Sequence, residues 1–230
     1  MNWCLRMHSA SPVIILTFRP VHAWTFVVTH IFLETVINHT SLQIIRDEHS
    51  SLAAMLRSML MMVERGPADK PQQFFDVLRA MLFYIDEFPG RLHSPKESTL
   101  LFPRVVRASP SVMDAVARLE HDHANGEKDV RELQHLLLAW EMMGESRRQV
   151  FVEQCKRYVE FYQEHMWLEE TVILPEAEKT LTDADWMELD AAFEKNCDPL
   201  SGKYPPDPAY ASLFTRIVTK APAPIGLGAA

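Results

Sequence analysis

Three histidines of this chain are each followed four residues later by a glutamate. The pairs are His93 with Glu97, His123 with Glu127, and His165 with Glu169. Residues four apart on an α-helix lie one above the other, so each pair can present an imidazole nitrogen and a carboxylate oxygen to the same point. Iron and manganese both accept such ligands. The spacing therefore predicts metal binding if the pairs lie on helices that face a common interior.

A fourth histidine, His49, stands in the same kind of position as His123 and His165. Each of the three interrupts a row of apolar residues spaced three and four apart, on a different predicted helix. A single histidine on an apolar helix face is usually a core residue bonded to a carbonyl or a side chain. Three such histidines on three helices call for a common explanation, because burying an imidazole or a carboxylate costs free energy unless a partner compensates it. We therefore interpret the histidines and glutamates as one metal site.

This ligand set suits a pair of metal ions. Two octahedral ions have about twelve coordination positions. The four histidines, a terminal Glu127, bridging Glu97 and Glu169, and a bridging oxide or hydroxide would leave roughly one position open. Dioxygen, peroxide or nitric oxide would bind there.

His121 and two tyrosines near these positions are not assigned as metal ligands. His121 lies two residues from His123, near the opposite side of its helix, and is expected at the surface. A shifted helix phase would exchange the two histidines. Tyr158 and Tyr162 share a helix face with His165, either as core aromatics, which is the commoner role, or as hydrogen-bond donors beside the site.

Apolar rows of this spacing predict four long helices. The first row comprises Leu42, Ile45, His49, Leu52, Leu56, Met59 and Val63. This helix ends at Gly66-Pro67, and the second runs from about residue 71 to 106 with a break or kink at Pro89-Gly90. The third begins at Ser109-Pro110 and ends at Gly144, and the fourth follows it. The fold class is therefore all-α, a four-helix bundle.

The bundle is assigned to residues 41–196, with segments before and after it. Residues 1–40 are expected to lie outside the domain, because translation starts later, for example at Val36, or because they form a weak membrane anchor. A short extra helix is predicted after the capping pair Thr182 and Asp185. Residues 197–230 are rich in proline and are expected to form an irregular tail that packs on the bundle.

Composition excludes several classes of function. The net charge of −8 comes without a basic segment, so nucleic acid is not an expected partner. No stretch of about 20 uninterrupted apolar residues is present, so no membrane span is expected. The three cysteines are widely spaced and form no CxxC, which is typical of a cytoplasmic protein without disulfides or a zinc finger.

The motifs together resemble the hemerythrin family, and more closely its bacterial cation-binding (HHE) domains. The segments that carry the resemblance are 45–49, 93–97 with 101–103, Asp122-His123 with Gly126-Glu127, and His165-Met166 with Glu169-Glu170. The resemblance implies an up-down four-helix bundle that holds an oxygen-bridged pair of non-haem irons, or alternatively manganese. His49, His93, Glu97, His123, Glu127, His165 and Glu169 match the ligand positions of the family.

Some positions depart from the family pattern. Ser94 and Ser98 stand where members often have a histidine and an acidic residue. Glu127 stands where the oxygen-carrying hemerythrins have a histidine. A carboxylate there makes the site more anionic and favours ferric iron, so the departure favours sensing or iron handling over reversible oxygen carriage.

The resemblance favours a protein that binds or senses dioxygen or a similar small redox ligand without turnover. The alternative is a di-iron enzyme of nitrosative or oxidative stress that repairs iron-sulfur clusters, acts as a peroxidase or reduces nitric oxide. Cluster-repair proteins usually carry an N-terminal cysteine motif, which Cys4 alone does not supply. A bundle whose metal only stabilises an interaction surface is the third interpretation. The sequence identifies no protein partner.

Overall fold

The computed structural model describes residues 39–196, 198–200 and 208–228. Within these ranges the chain forms helices and turns without β-strands, which confirms the predicted all-α class. The first helix of the bundle is α1 (Thr40–Arg65). None of the described helices is both long and apolar enough to cross a membrane. The expectations for residues 1–38 concern a segment outside the described ranges.

The second helix of the bundle changes its winding along its length. Its parts are α2 (Pro71–Ile85), a π-helical segment (Asp86–His93), α3 (Ser94–Lys96), a second π-helical segment (Glu97–Leu101) and α4 (Phe102–Ala108). Of the break or kink expected at Pro89-Gly90, the break does not occur, because the chain remains helical there and changes its winding instead. A π-helix has wider turns than an α-helix, and these accommodate a proline that lacks the amide hydrogen.

Two further helical stretches complete the bundle. Helix α5 (Met113–Met143) ends at Gly144, whose φ of 82° is a backbone conformation that glycine adopts readily. Helix α6 (Arg148–Leu168) continues through a π-helical segment (Glu169–Ile173) into α7 (Leu174–Thr180). The fourth stretch therefore changes its winding where it carries Glu169, as the second does at Glu97.

The short extra helix is α8 (Asp183–Phe193), which begins with the predicted cap. The Thr182 side chain accepts a hydrogen bond from the Asp185 amide, and the Asp185 carboxylate accepts one from the Thr182 amide. This reciprocal capping box satisfies amide groups that have no partner inside the helix.

The C-terminal region contains a helix, α9 (Ala211–Lys220), where an irregular tail was expected. Ile217 of α9 is fully buried in the apolar core. Beyond the helix, Ser58 of α1 donates a hydrogen bond to the Pro222 carbonyl at 2.9 Å. The prolines on both sides of α9 conceal its short apolar pattern in the sequence.

Polar residues divide the interior into two apolar clusters. The Trp140 cluster includes Leu52, Phe88, Val130, Trp140 and Met166. The Trp186 cluster includes Ile45, Leu101, Leu119, Ile173 and Trp186. On each of the four helical stretches of the bundle, the chain passes from one cluster to the other through the histidines and glutamates predicted as metal ligands.

A buried carboxylate connects the C-terminal region to the second helix. Tyr84 donates a hydrogen bond to Asp198 Oδ2 at 2.8 Å, and the Leu200 amide donates one to Asp198 Oδ1 at 2.9 Å. Burial nevertheless raises the pKa of Asp198 to about 6. The folded protein therefore binds this proton more tightly than the unfolded chain does. Ionising Asp198 should destabilise the fold progressively as the pH rises from about 4 to about 6.

Replacing Asp198 by asparagine is expected to remove this pH dependence. Between pH 4 and pH 6, the free energy of unfolding of the unmodified protein should fall by about 2–3 kcal/mol relative to that of the variant. Urea unfolding across this pH range measures the difference, with Asp114→Asn as the control at an exposed position. A difference between wild type and Asp198→Asn that stays constant with pH would contradict the prediction.

Candidate metal centre

The bundle brings six of the predicted ligands together between its two apolar clusters. These are His49 of α1, His93 and Glu97 of the second helix, His123 of α5, His165 of α6, and Glu169. Five of the six residues are buried, and the His123 side chain is only 9% exposed. Both glutamates are the first residues of π-helical segments, which recur at functional sites because the local change in winding redirects a side chain.

Four of these residues form one group of potential ligands. Single ligand atoms of His49, His93, Glu97 and Glu169 all lie within 4.8 Å of one another. His93 Nε2 lies 2.6 Å from Glu97 Oε1, and His49 Nε2 lies 3.5 Å from Glu169 Oε2. This group combines two imidazoles with two carboxylates around one position.

A second group shares Glu97 with the first and adds His123 and His165. His123 Nε2 lies 3.3 Å from Glu97 Oε2, the other oxygen of that carboxylate. His165 Nε2 lies 3.9 Å from Glu169 Oε2. Because Glu97 faces His93 with one oxygen and His123 with the other, it can bridge two cations, and Glu169 lies near both groups.

Hydrogen bonding tests whether these residues fit a metal. The atoms that point into the cluster make no normal hydrogen bond: Nε2 of His93 and His123, and both carboxylate oxygens of Glu97 and of Glu169. Buried polar atoms without a hydrogen bond are rare, because each costs about 1–3 kcal/mol or more if it is charged. Bound cations would satisfy all of them, so the donor set fits a metal pair.

The other ring nitrogen of each histidine faces an outer partner. The Nδ1 contacts are His49 with Glu170 at 2.9 Å, His93 with Glu48 at 2.6 Å, His123 with Ser98 at 3.0 Å, and His165 with Asp122 at 3.6 Å. Such partners fix the tautomer and the ring orientation so that Nε2 points at a metal. Three of the four histidines, His49, His93 and His123, have such an Nδ1 contact within 3.0 Å, which is typical of metal-ligating histidines, whereas Nδ1 of His165 makes no hydrogen bond.

Burial and neighbouring charges shift the pKa values of the cluster residues. Burial alone would raise the pKa of Glu97, but His93 and His123 outweigh burial and hold this pKa well below its usual range. Burial and the charge of Glu97 raise the pKa of Glu169 to about 7. Burial opposes protonation of His49, yet its contacts with the carboxylates of Glu169 and Glu170 raise its pKa to about 9. Protons therefore balance the carboxylates here, and binding cations would release them.

Glu127 does not join the cluster, and its predicted place on the inner face of the helix is wrong. Its side chain is 50% exposed, and its carboxylate lies 3.4 Å from the guanidinium of Arg131. The buried face of α5 passes instead through Asp122, Gly126 and Val130. Glu127 follows Gly126 by one residue, which turns it by about 100° away from that face.

Sequence reasoning missed the outer partners of the histidines. Glu48 directly precedes His49, and Glu170 directly follows Glu169, so periodicity places both beside the expected inner face. Asp122 precedes His123 but contacts His165 on the neighbouring helix. The only available signal is the run of acidic residues next to each ligand, which does not indicate the histidine that each one contacts.

A family model independently matches this region. The Hemerythrin HHE cation binding domain matches residues 40–177, more than half of the chain, and includes every helix that supplies the cluster. The chain therefore belongs to this family, as the sequence motifs predicted. A separate comparison with curated proteins found no match.

Proposed function

We propose that the protein holds two non-haem metal ions, iron or alternatively manganese, and that this pair binds or senses dioxygen or a related small redox ligand. The other version of this proposal is that the protein uses the same site to handle iron itself. The observation that carries the proposal is the position of Glu97, which belongs to both ligand groups, faces His93 with Oε1 and His123 with Oε2, and makes no normal hydrogen bond with either oxygen. A carboxylate in this position is suited to bridge two cations.

The residues of the chain have distinct roles in this proposal. His49 and His93 would hold one ion and His123 and His165 the other, while Glu97 and Glu169 would supply carboxylate ligands between them. The Trp140 and Trp186 clusters exclude water on both sides of the ligands. When bound, the metal pair supplies redox chemistry and a coordination position for a small ligand.

Metal content tests the proposal directly. Protein purified without added metal should contain about two iron or manganese ions per chain, measured by elemental analysis against protein concentration. Absorption spectra with and without oxygen should then differ if the pair binds dioxygen. A stably folded chain without metal, which takes up none when iron or manganese is supplied, would reject the proposal.

Glu48 offers a test of the outer partners. Its carboxylate lies 2.6 Å from His93 Nδ1 and accepts a hydrogen bond from Asn196 at 2.9 Å. Replacing Glu48 by glutamine should weaken metal binding about tenfold, since a neutral partner orients and polarises His93 less well. Competition with a chelator of known affinity measures this change.

The matched control is Glu64→Gln on the same helix. Glu64 is exposed and lies 3.2 Å from Lys156, far along α1 from His49. Its replacement should leave metal affinity unchanged. Equal loss of affinity in both variants would show that charge in general, and not the contact with His93, is responsible.

A further inference from the structure

The chain at the end of α8 contacts the His93 side of the candidate metal centre. Phe193 is fully buried, and its ring packs nearly perpendicular to the His93 imidazole, with a centroid distance of 5.9 Å. The backbone amide of Asn196 donates a hydrogen bond to the Phe193 carbonyl at 2.9 Å, which fixes the turn that follows this helix. Both Phe193 and Asn196 lie beyond residue 177, where the match to the family model ends. The chain therefore adds contacts to the site that the matched region does not include.

The side-chain amide of Asn196 connects two helices that supply candidate metal ligands. Asn196 is 4% exposed. Its NH₂ group donates a hydrogen bond to Glu48 Oε2 on α1 at 2.9 Å, and its carbonyl oxygen accepts one from the Lys96 ammonium group on the second helix. Only this orientation of the amide satisfies both neighbours, because a carboxylate accepts hydrogen bonds and an ammonium group donates them. Each of the two neighbours directly adjoins a candidate ligand in the sequence.

The Glu48 oxygen that Asn196 contacts is the one that faces His93. Oε2 of Glu48 lies 2.6 Å from His93 Nδ1, and the same atom accepts the hydrogen bond from Asn196. A second donor restricts the rotation of the carboxylate, so that Oε2 stays directed at the imidazole. The opposite nitrogen of this ring, Nε2, lies 2.6 Å from Glu97 Oε1 inside the cluster. Asn196 therefore contacts the residue that orients a candidate metal ligand.

We propose that Asn196 is a positioning residue for the metal centre, which acts on His93 through Glu48. It supplies no ligand atom and instead fixes the carboxylate that orients the imidazole. Removing an outer partner of a metal-bound histidine lowers metal affinity by about 10- to 100-fold. Asn196 lies one contact further from the metal, so its removal should lower the affinity by less, about three- to tenfold. The effect on metal affinity rests on the proposed function, whereas the effect on His93 does not.

Asn196→Leu tests the hydrogen bond without leaving an empty space. Asn196, Glu48 and His93 line a cavity of about 20 Å³, enough for one water, so a shorter side chain would admit water as a substitute donor. Leucine is similar in size and has no polar atom in its side chain. The affinity of the variant for zinc, measured by competition with a chelator of known affinity, should be about three- to tenfold lower than that of the unmodified protein.

The matched control is Gln149→Leu. The Gln149 amide donates a hydrogen bond to the Glu153 carboxylate at 2.9 Å, which is the same kind of contact at the same distance, on the exposed surface of α6. Its loss should leave the zinc affinity unchanged. Equal weakening in both variants would overturn the proposal, because the loss of any amide–carboxylate contact would then be sufficient.

Glu48→Ala shows whether Asn196 acts through Glu48. This change alone should weaken zinc binding about tenfold or more. Adding Asn196→Leu to it should cause no further loss, since the carboxylate that Asn196 positions is then absent. The same fold-change with and without Glu48 would overturn the proposal and assign Asn196 a general role in packing the chain after α8. Circular dichroism verifies that each variant keeps its helix content.

The His93 ring gives a readout that needs no metal. The chain has 10 histidines, and in protein labelled with ¹⁵N in its histidine rings the Nδ1 signal of His93 is assigned by its absence in His93→Gln. Asn196→Leu should shift this signal in the metal-free chain, and Gln149→Leu should not. An unmoved signal would overturn the action of Asn196 on His93. A shifted signal in a chain that takes up no zinc would instead reject the proposed function, and with it the role of Asn196 in metal binding.

Discussion

Replacing Glu97 by glutamine should reduce the metal content from about two ions per chain to nearly none. Glu97 is the one residue that belongs to both ligand groups, and it is fully buried. Glutamine has almost the same shape but carries no charge, so it cannot neutralise two cations or bridge them with both side-chain atoms. Loss of one ligand therefore affects both ions at once.

The matched control is the same chemical change at Glu127. Glutamine there should leave the metal content at about two per chain, because this carboxylate is half exposed and pairs with Arg131 outside the cluster. Elemental analysis of both variants, with circular dichroism to verify helix content, makes the comparison. Equal metal loss in Glu127→Gln would restore Glu127 as a ligand and show that the site rearranges when it is filled.

The cluster of candidate ligands was predictable where it depends on spacing within a helix. His93 with Glu97 and His165 with Glu169 lie on one face by helix geometry alone, and the structure brings both pairs together with His49 and His123. Glu127 shows the limit of that reasoning. Glu127 was placed on the inner face by its spacing of four from His123, but Gly126 lies on the side of α5 that faces inward, against Tyr162. That close approach joins two helices, and the spacing of the His-Glu pair does not reveal it.

The fold, like the site, was predictable from the sequence only in part. Helices α1 and α5 have long apolar rows and end at glycines, so their C-terminal ends follow from the sequence, whereas α5 begins at Met113 and not at the predicted Ser109-Pro110, where a 3-10 turn lies instead. The π-helical segments do not, because a shift in hydrogen bonding by one residue depends on the side chains that pack around it. Helix α9 was missed for a similar reason. It is stabilised by packing against α2 and the Trp140 cluster, and the prolines around it argue against a helix.

Trp140 should make one of the largest contributions to the stability of the bundle. It is 1% exposed, and its ring packs against Phe74, Phe75 and Phe151 with centroid distances of 5.2–5.6 Å. Its Nε1 donates a hydrogen bond to Glu145 at 3.0 Å. Replacing Trp140 by alanine should lower the free energy of unfolding by about 3–5 kcal/mol, since the surrounding aromatic rings cannot close the cavity that remains.

Trp167→Ala is the control, because that side chain is 66% exposed and its removal should change the free energy of unfolding by no more than about 0.5 kcal/mol. Urea unfolding of the metal-free proteins measures both effects, with unchanged m-values as evidence that the midpoints reflect stability.

Folded Trp140→Ala should still bind about two metal ions per chain, since its cluster lies to one side of the ligands. We expect Trp140→Ala to be less stable but to keep its metal, and folded Glu97→Gln to lose its metal. This pair of results would separate the residues that stabilise the bundle from those that bind the metal. Loss of metal in folded Trp140→Ala would instead show that the aromatic cluster positions the ligands.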